Sequence, residues 1–311
     1  MAYLFVHFKE KITPDGEQVY FSVSKDGYNW EMLNSGEPIV TSKMSTGGCR
    51  DIEIARLKDG GFVIITTDEC IANRYDENLN VNWQIVNRTG SHGFCMWKTD
   101  DLINFSEQTI INIGRDDFGC MWAPEIFYDE TEEEYLIHWG STVAQDDYSH
   151  MSIYYSVTKD FVSFSKPKLF FTKSAEVLDT HITKIDGMYH MFYKHAEHPG
   201  VNMHAVSGHL YGPYMHDEAF EKYMRSIEAY NCYEADTTYI LPDGKWCLML
   251  DFFGCPKPEM GYVPFISDKP GVAEFEMKKE LFSFPYGFKH GKVIEITDAE
   301  YERLKSHYKN V

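Results

Sequence analysis

The chain has 311 residues, 43% of them hydrophobic and 25% charged, an ordinary globular composition and enough for one large domain or two modest ones. Its 48 acidic and 29 basic residues give a formal charge of -19, which would repel nucleic acid and anionic membranes and suits a neutral or cationic substrate. No run of 18 apolar residues occurs, so no helical membrane span is expected.

The opening "AYLFVHFKE" reads as a strand from residue 2, too short and wrongly flanked for a secretory leader. The expectation is a cytoplasmic protein, or a secreted one whose signal has been removed. A second strand, "VYFSVSKDGYNW", follows. Four related segments come next: "RDIEIARLKDGGFVIITTD", "APEIFYDETEEEYLIHWGS", "LDTHITKIDGMYHMFYKH" and "YEADTTYILPDGKWCLMLDFF". Each has an acid, an apolar strand, a turn and an aromatic-rich strand. Three of the turns are Asp-Gly, a strong hairpin signal. A second shared piece, "SKDGYNWEML", "WKTDDLINFSE" and "SVTKDFVSFSK", pairs a polar turn with an aromatic that opens the next strand. The chain ends with the strand "GKVIEIT" and one helix, "TDAEYERLKSHY", which Thr297 caps with Glu300 three residues on.

The acids Asp51, Glu125, Asp179 and Glu234 are separated by 74, 54 and 55 positions, and 56 more reach His290. A period near 55 suits a four-stranded propeller blade with its loops. The predicted fold is an all-β, five-bladed β-propeller forming one domain over residues 1–311. The N-terminal outer strands and the C-terminal inner strand complete one blade and close the ring, leaving no open edge. The competing fold is a β-sandwich with coincidental spacing, against which the matching half-blades argue.

In a propeller the first strand of each blade lines the central channel. Asp51, Glu125, Asp179 and Glu234 are expected to share one register at its mouth, with His290 beside them. Carboxylates gathered there raise one another's pKa, a poor stability device and a good catalytic one. Two carboxylates flanking a sugar are what glycosidic cleavage needs, and a third can tune the acid.

The pattern resembles glycoside hydrolase family 43, in the five-bladed clan of arabinofuranosidases, xylosidases, arabinanases and galactanases. "GGCRDIEIARLKDGG" resembles the family's base segment, "WAPEIFYD" its WAP signature, "LDTHITKIDGMYHMFYK" its modulator segment and "YEADTTYILPDGKWCLM" its acid segment. "KHGKVIEITDAEYERL" resembles the ending of one branch. The resemblance spans essentially the whole chain. It implies an inverting, exo-acting glycosidase for arabinofuranosyl or xylosyl, or galactosyl, linkages of plant-type oligosaccharides. Asp51 would be the base, Glu234 the acid and Asp179 its modulator. Inversion needs the base and acid about 6.5–9.5 Å apart. The chain departs from the pattern at Ile52, Ala235 and Asp236, and at Glu125 and His181.

Trp122, Glu125, Arg50, His181 and Asp236 are the candidate substrate contacts. Trp122 would stack on a sugar or join the core; Arg50 would meet substrate or hold a salt bridge. No cofactor is required, although a structural calcium ion in the channel is considered, with His290 as its candidate ligand. His190, His195, His198 and His204 match no zinc spacing and are not expected to converge. Lys194 is weighed as a sugar contact or a solvated or paired lysine, and Asp68 and Asp251, at the ends of second strands where turn acids are common, are taken as structural. The seven cysteines are odd in number and unpaired in spacing, so reduced thiols are expected. Oligomeric state is not legible. A binding-only propeller is the alternative function. A retaining fructosidase lacks its nucleophile segment here, and a WD or kelch propeller lacks its signatures.

Overall fold

A computed structural model describes residues 1–196 and 200–309. It is a five-bladed β-propeller, as the repeat predicts. Strands β4 (Arg50–Arg56), β5 (Phe62–Thr67), β6 (Phe94–Thr99) and β7 (Thr109–Ile111) form one blade in that order. The next holds β8 (Trp122–Asp129), β9 (Glu134–Ser141), β10 (Ser152–Thr158) and β11 (Lys168–Phe171). Then come β12 (Val177–Ile185), β13 (Met188–His195), β14 (Val201–Ser207) and β15 (Met215–His216). A further blade holds β16 (Tyr233–Ile240), β17 (Trp246–Phe252), β18 (Gly261–Ser267) and β19 (Glu276–Met277).

The closing blade joins the two ends of the chain. Its order is β20 (Lys289–Ile296), β1 (Ala2–Phe8), β2 (Tyr20–Ser24) and β3 (Trp30–Met32). Strand β1 pairs antiparallel with β20 from Ala2 opposite Ile296 to Phe8 opposite Lys289. This closure removes the exposed inner edge that either terminal piece would otherwise present.

The shared sequence pieces become shared hydrogen bonds. The Ser24, Thr99 and Thr158 hydroxyls each accept the amide three residues on, at 2.8, 2.9 and 2.9 Å. Asp26, Asp101 and Asp160 accept the next two amides. The same turn therefore links the third and fourth strands of three blades. Asp186 and Gly187 both have positive φ, as a two-residue hairpin needs.

Blades pack face to face, so strands such as Phe62–Thr67 are buried along their whole length. Trp246 is fully buried against Phe192 and Phe275, and Trp139 against Phe94. The C-terminal helix, Asp298–His307, has the expected box: the Thr297 hydroxyl accepts the Glu300 amide, and Glu300 accepts the Thr297 amide. Two seven-residue helices were not anticipated, α1 (Trp83–Thr89) and α2 (Glu218–Met224), with the terminal helix as α3. The cysteines are free thiols. No helix among the described residues is long and apolar enough to cross a membrane.

Candidate active site

The inner strands share one irregularity. Each has a β-bulge near its start: between Arg50 and Glu53, Trp122 and Glu125, Leu178 and His181, and Glu234 and Thr237. The fifth lies where β20 meets β1, between Lys289 and Lys292. Asp51, Ala123, Asp179 and Ala235 occupy the bulge with φ of 51°, 51°, 52° and 57°. Non-glycine residues hold such a conformation at roughly 1 kcal/mol or more, so the surrounding packing must enforce it. The bulge turns the strand start towards the channel mouth.

This alignment corrects the expected common register. Asp51, Asp179 and His290 are equivalent, but Glu234 stands one residue earlier, with Arg50, Trp122, Leu178 and Lys289. Glu125 stands two residues later than the bulge, level with Glu53, His181, Thr237 and Lys292. The extra residue at each bulge breaks the strict alternation of faces, so Glu234 and Asp51 line one pocket although they stand one position apart.

A pocket at the mouth is lined by Asp51, Asp179, Glu234 and His290, with Arg50, Trp122 and Leu178 beside them. Thr67, Glu69, Ile71 and Trp83 complete its wall. Both Asp51 oxygens are engaged. His290 Nδ1 lies 3.0 Å from Oδ1, and the Thr67 hydroxyl donates to Oδ2 at 2.6 Å. Thr67 in turn accepts the Ala123 amide at 2.9 Å, tying the Asp51 blade to the next one. Burial pushes the Asp51 carboxyl up, but His290, Arg50 and Thr67 outweigh it and hold Asp51 well below the usual carboxylate range. Burial pushes His290 down, yet Asp51 and Asp179 raise it to about 9, so it is an imidazolium at neutral pH.

Glu234 Oε2 accepts from Lys194 Nζ at 2.6 Å. Burial raises this carboxyl, but Lys194 and Lys289 hold it down to about 2. Asp179 is different: burial and the Glu234 charge raise it to about 6 against the pull of His290 and Lys194. Asp179, not Glu234, is therefore the carboxyl of this pair that takes up a proton first as pH falls. Asp251 lies opposite Glu234 across the strand pair. It is fully buried, with Lys289 Nζ at 2.6 Å and the His290 amide at 3.1 Å. It is thus structural, as expected, but as a buried anchor for Lys289 and the His290 amide and not in a turn. Asp68 does hold a turn, accepting the Thr46 hydroxyl at 2.9 Å.

Arg50 and Trp122 line the pocket. One Arg50 nitrogen also bonds Glu17 at 2.6 Å, and its guanidinium lies over Phe8. Glu125, His181 and Asp236 do not line the pocket. They are buried beneath it, because the bulge redirects the strand. His181 Nδ1 lies 2.9 Å from Glu125 and its Nε2 2.9 Å from Thr238 Oγ1. Asp236 accepts from Asn202 Nδ2 at 3.0 Å. Burial, with Asp179 nearby, pushes the Asp236 carboxyl well up and favours its neutral form.

Lys292 Nζ enters this lower layer, 2.7 Å from Glu125 and 3.3 Å from Glu53. Burial raises Glu125, but His181 and Lys292 outweigh it and hold it at about 2, whereas burial keeps Glu53 well above its usual range. The side chains here do not fit a calcium ion, since an ammonium already lies between the carboxyls and would repel a second cation. His290 is committed to Asp51. Among the described residues no group of three or more His, Cys, Asp or Glu is arranged to hold a metal.

Two of the four histidines do meet, contrary to expectation. Adjacent strands bring His190 Nδ1 within 3.0 Å of His204 Nε2, and His204 Nδ1 lies 2.9 Å from Asp217. His198 lies outside the described residues.

Trp83 was missed. It opens α1 in the segment between β5 and β6 and packs edge-on against Trp122 with ring centroids 6.0 Å apart. The signal was available: the 74-position spacing from Asp51 to Glu125 exceeds the others by about a helix and its loops.

Residues 1–302 match the family described as "Probable glycosyl hydrolase domain", which is related to glycoside hydrolase family 43. The chain belongs to this family. It is a glycoside hydrolase domain by that membership. An α-L-arabinofuranosidase of Bifidobacterium longum is 24% identical over 203 residues, covering 58% of this chain and 18% of that protein. The chain thus matches a small part of that relative's length. The endo-arabinase of Bacteroides thetaiotaomicron superposes with a TM-score of 0.58 at 14% identity, covering 86% of this chain and 88% of that one. A family 43 protein of Bacillus licheniformis gives 0.56 at 15% identity, covering 95% and 54%. These likenesses establish the fold.

Proposed function

We propose that the domain cleaves terminal arabinofuranosyl or xylosyl, or galactosyl, residues from plant-type oligosaccharides by single displacement with inversion. The observation that carries this reading is the gathering of Asp51, Asp179 and Glu234 around one pocket beside Trp83 and Trp122. Asp51, held ionised, takes a proton from water as the oxygen attacks the anomeric carbon. The glycosidic C–O bond breaks, and the leaving oxygen receives a proton from Glu234. Glu234 is ionised at rest, so it must be protonated before this step. Asp179, with its raised pKa, is the neighbouring proton store. The arabinofuranosidase relative supports the arabinofuranosyl choice.

The test is a panel of aryl α-L-arabinofuranoside, β-D-xyloside and β-D-galactoside, with Asp51→Asn and Glu234→Gln controls. Turnover lost in both variants, with NMR showing the inverted anomer first, supports the reading. Sugar binding without turnover of any substrate returns the domain to a binding propeller.

The raised Asp179 favours a second assignment, in which Asp179 itself donates to the leaving oxygen. Dinitrophenyl glycosides separate the two, because an activated leaving group needs no acid. The variant that keeps dinitrophenyl activity while losing alkyl-glycoside activity identifies the donor.

A further inference from the structure

The pocket has a second part. Beyond Glu234 it opens into a chamber walled by Trp83, Trp122, Met151, Leu178, Phe253 and Met260. Glu234 borders both parts, while Asp51 and Asp179 border only the narrow one. In glycosidic cleavage the proton donor stands at the scissile oxygen, between the sugar being released and the group that leaves. A carboxyl bordering both compartments, with the base in only one, gives them opposite roles.

We propose that the wide chamber is the leaving-group site, built to hold a sugar ring against Trp83. This rests on the glycosidase reading of Glu234 and Asp51. Trp83 is 49% exposed although it packs on Trp122. An exposed indole beside a catalytic carboxyl offers an apolar face to the C–H side of a pyranose or furanose. Phe253 forms another wall, with Lys194 Nζ 4.4 Å from its ring centroid. Lys194 borders the wide part and donates to Glu234, the carboxyl that the two parts share, so a leaving group there would meet it.

The segment bearing Trp83 is held in place from outside. Lys257 Nζ lies 2.5 Å from the Tyr75 hydroxyl and 2.5 Å from Glu10. This clamp joins the β5–β6 segment to the β1–β2 and β17–β18 loops, and Glu10 and Met260 are themselves chamber walls. A sugar platform needs such fixing, because a freely swinging Trp would lose entropy on binding. The polar groups facing the chamber, Asn87, Glu176 and Lys289, supply hydroxyl partners on its other sides.

The experiment uses the full chain with Asp51→Asn, so that ligands persist. Calorimetry measures L-arabinose, D-xylose and D-galactose against α-1,5-arabinobiose, β-1,4-xylobiose and β-1,4-galactobiose. The expected result is one disaccharide at least about tenfold tighter than its own monosaccharide. Adding Trp83→Ala should remove most of that advantage, and Trp83→Phe should restore part of it. No disaccharide preference, no binding at all, or an equal loss for mono- and disaccharide in Trp83→Ala would overturn the proposal. Absence of turnover by the native chain, with the disaccharide preference intact, would remove the hydrolase reading and leave a two-sugar site.

Discussion

Lys194 Nζ donates to Glu234 Oε2 at 2.6 Å, so the expected proton donor is held by a cation. The ammonium comes from β13 and the carboxyl from β16, on neighbouring blades. With Lys289 close by, the pair keeps Glu234 near a pKa of about 2.

Lys194→Met should therefore raise the Glu234 pKa in the free protein. A general acid works only while protonated, so activity falls as pH rises through its pKa. The alkaline limb of kcat/KM, which reports the free protein, should move to higher pH in Lys194→Met. An unmoved or acid-shifted limb would show that Lys194 does not control the proton.

Thr67 links the base to the next blade through its hydroxyl. Thr67→Val removes the bond to Asp51 and leaves the buried Ala123 amide without its acceptor. Stability should fall by about 1–3 kcal/mol. The kcat should drop on the order of tenfold, with a smaller change in KM, because the base loses its orientation. Thr67→Ser should restore both. A loss in Thr67→Ser as large as in Thr67→Val would show that the hydroxyl bond is not what orients the base.

The Asp51–His290 pair gives a pH signature. His290 is raised from an unfolded value near 6.5 to about 9, so its stabilising contribution is complete below about 6.5 and is lost as pH rises through 9. From that shift the contribution is about 3 kcal/mol at most. The gap in unfolding free energy between the native chain and His290→Asn should narrow between pH 6.5 and 9.5. A gap that stays constant across this window contradicts the pairing.

Lys292 is the cation under the pocket. Lys292→Met leaves Glu125 buried without its ammonium partner and should destabilise the fold by about 3–5 kcal/mol. Adding Glu125→Gln should recover a substantial part of the loss. Chelators should leave the native Tm unchanged, and a clear fall in Tm with chelator would show a bound metal instead.

Much of this was legible in the sequence. Asp51, Asp179 and Glu234 surface through repetition, since a blade's turn and strand chemistry is local and recurs with the period. Glu125 shows where that reading fails. It begins a similar segment, yet the bulge at Ala123 places it two positions past the equivalent of Asp51. Such bulges arise from pairing with the neighbouring strand, and no local pattern marks which residue takes the extra position. The long Asp51–Glu125 spacing marks the extra segment that bears Trp83, but its contact with Trp122 exists only once the fold brings the two together.

The sequence by itself determined the propeller, because hydrophobic alternation, Asp-Gly turns and complementary half-blades are local signals repeated around a ring. It also placed the acids at the starts of inner strands. Only the tertiary structure decided their charge states. Lys194, His290 and Lys292 reach Glu234, Asp51 and Glu125 from other blades, and a buried carboxyl's pKa depends on burial and on the charges within a few ångströms. Those distances are properties of the closed ring, not of any one strand.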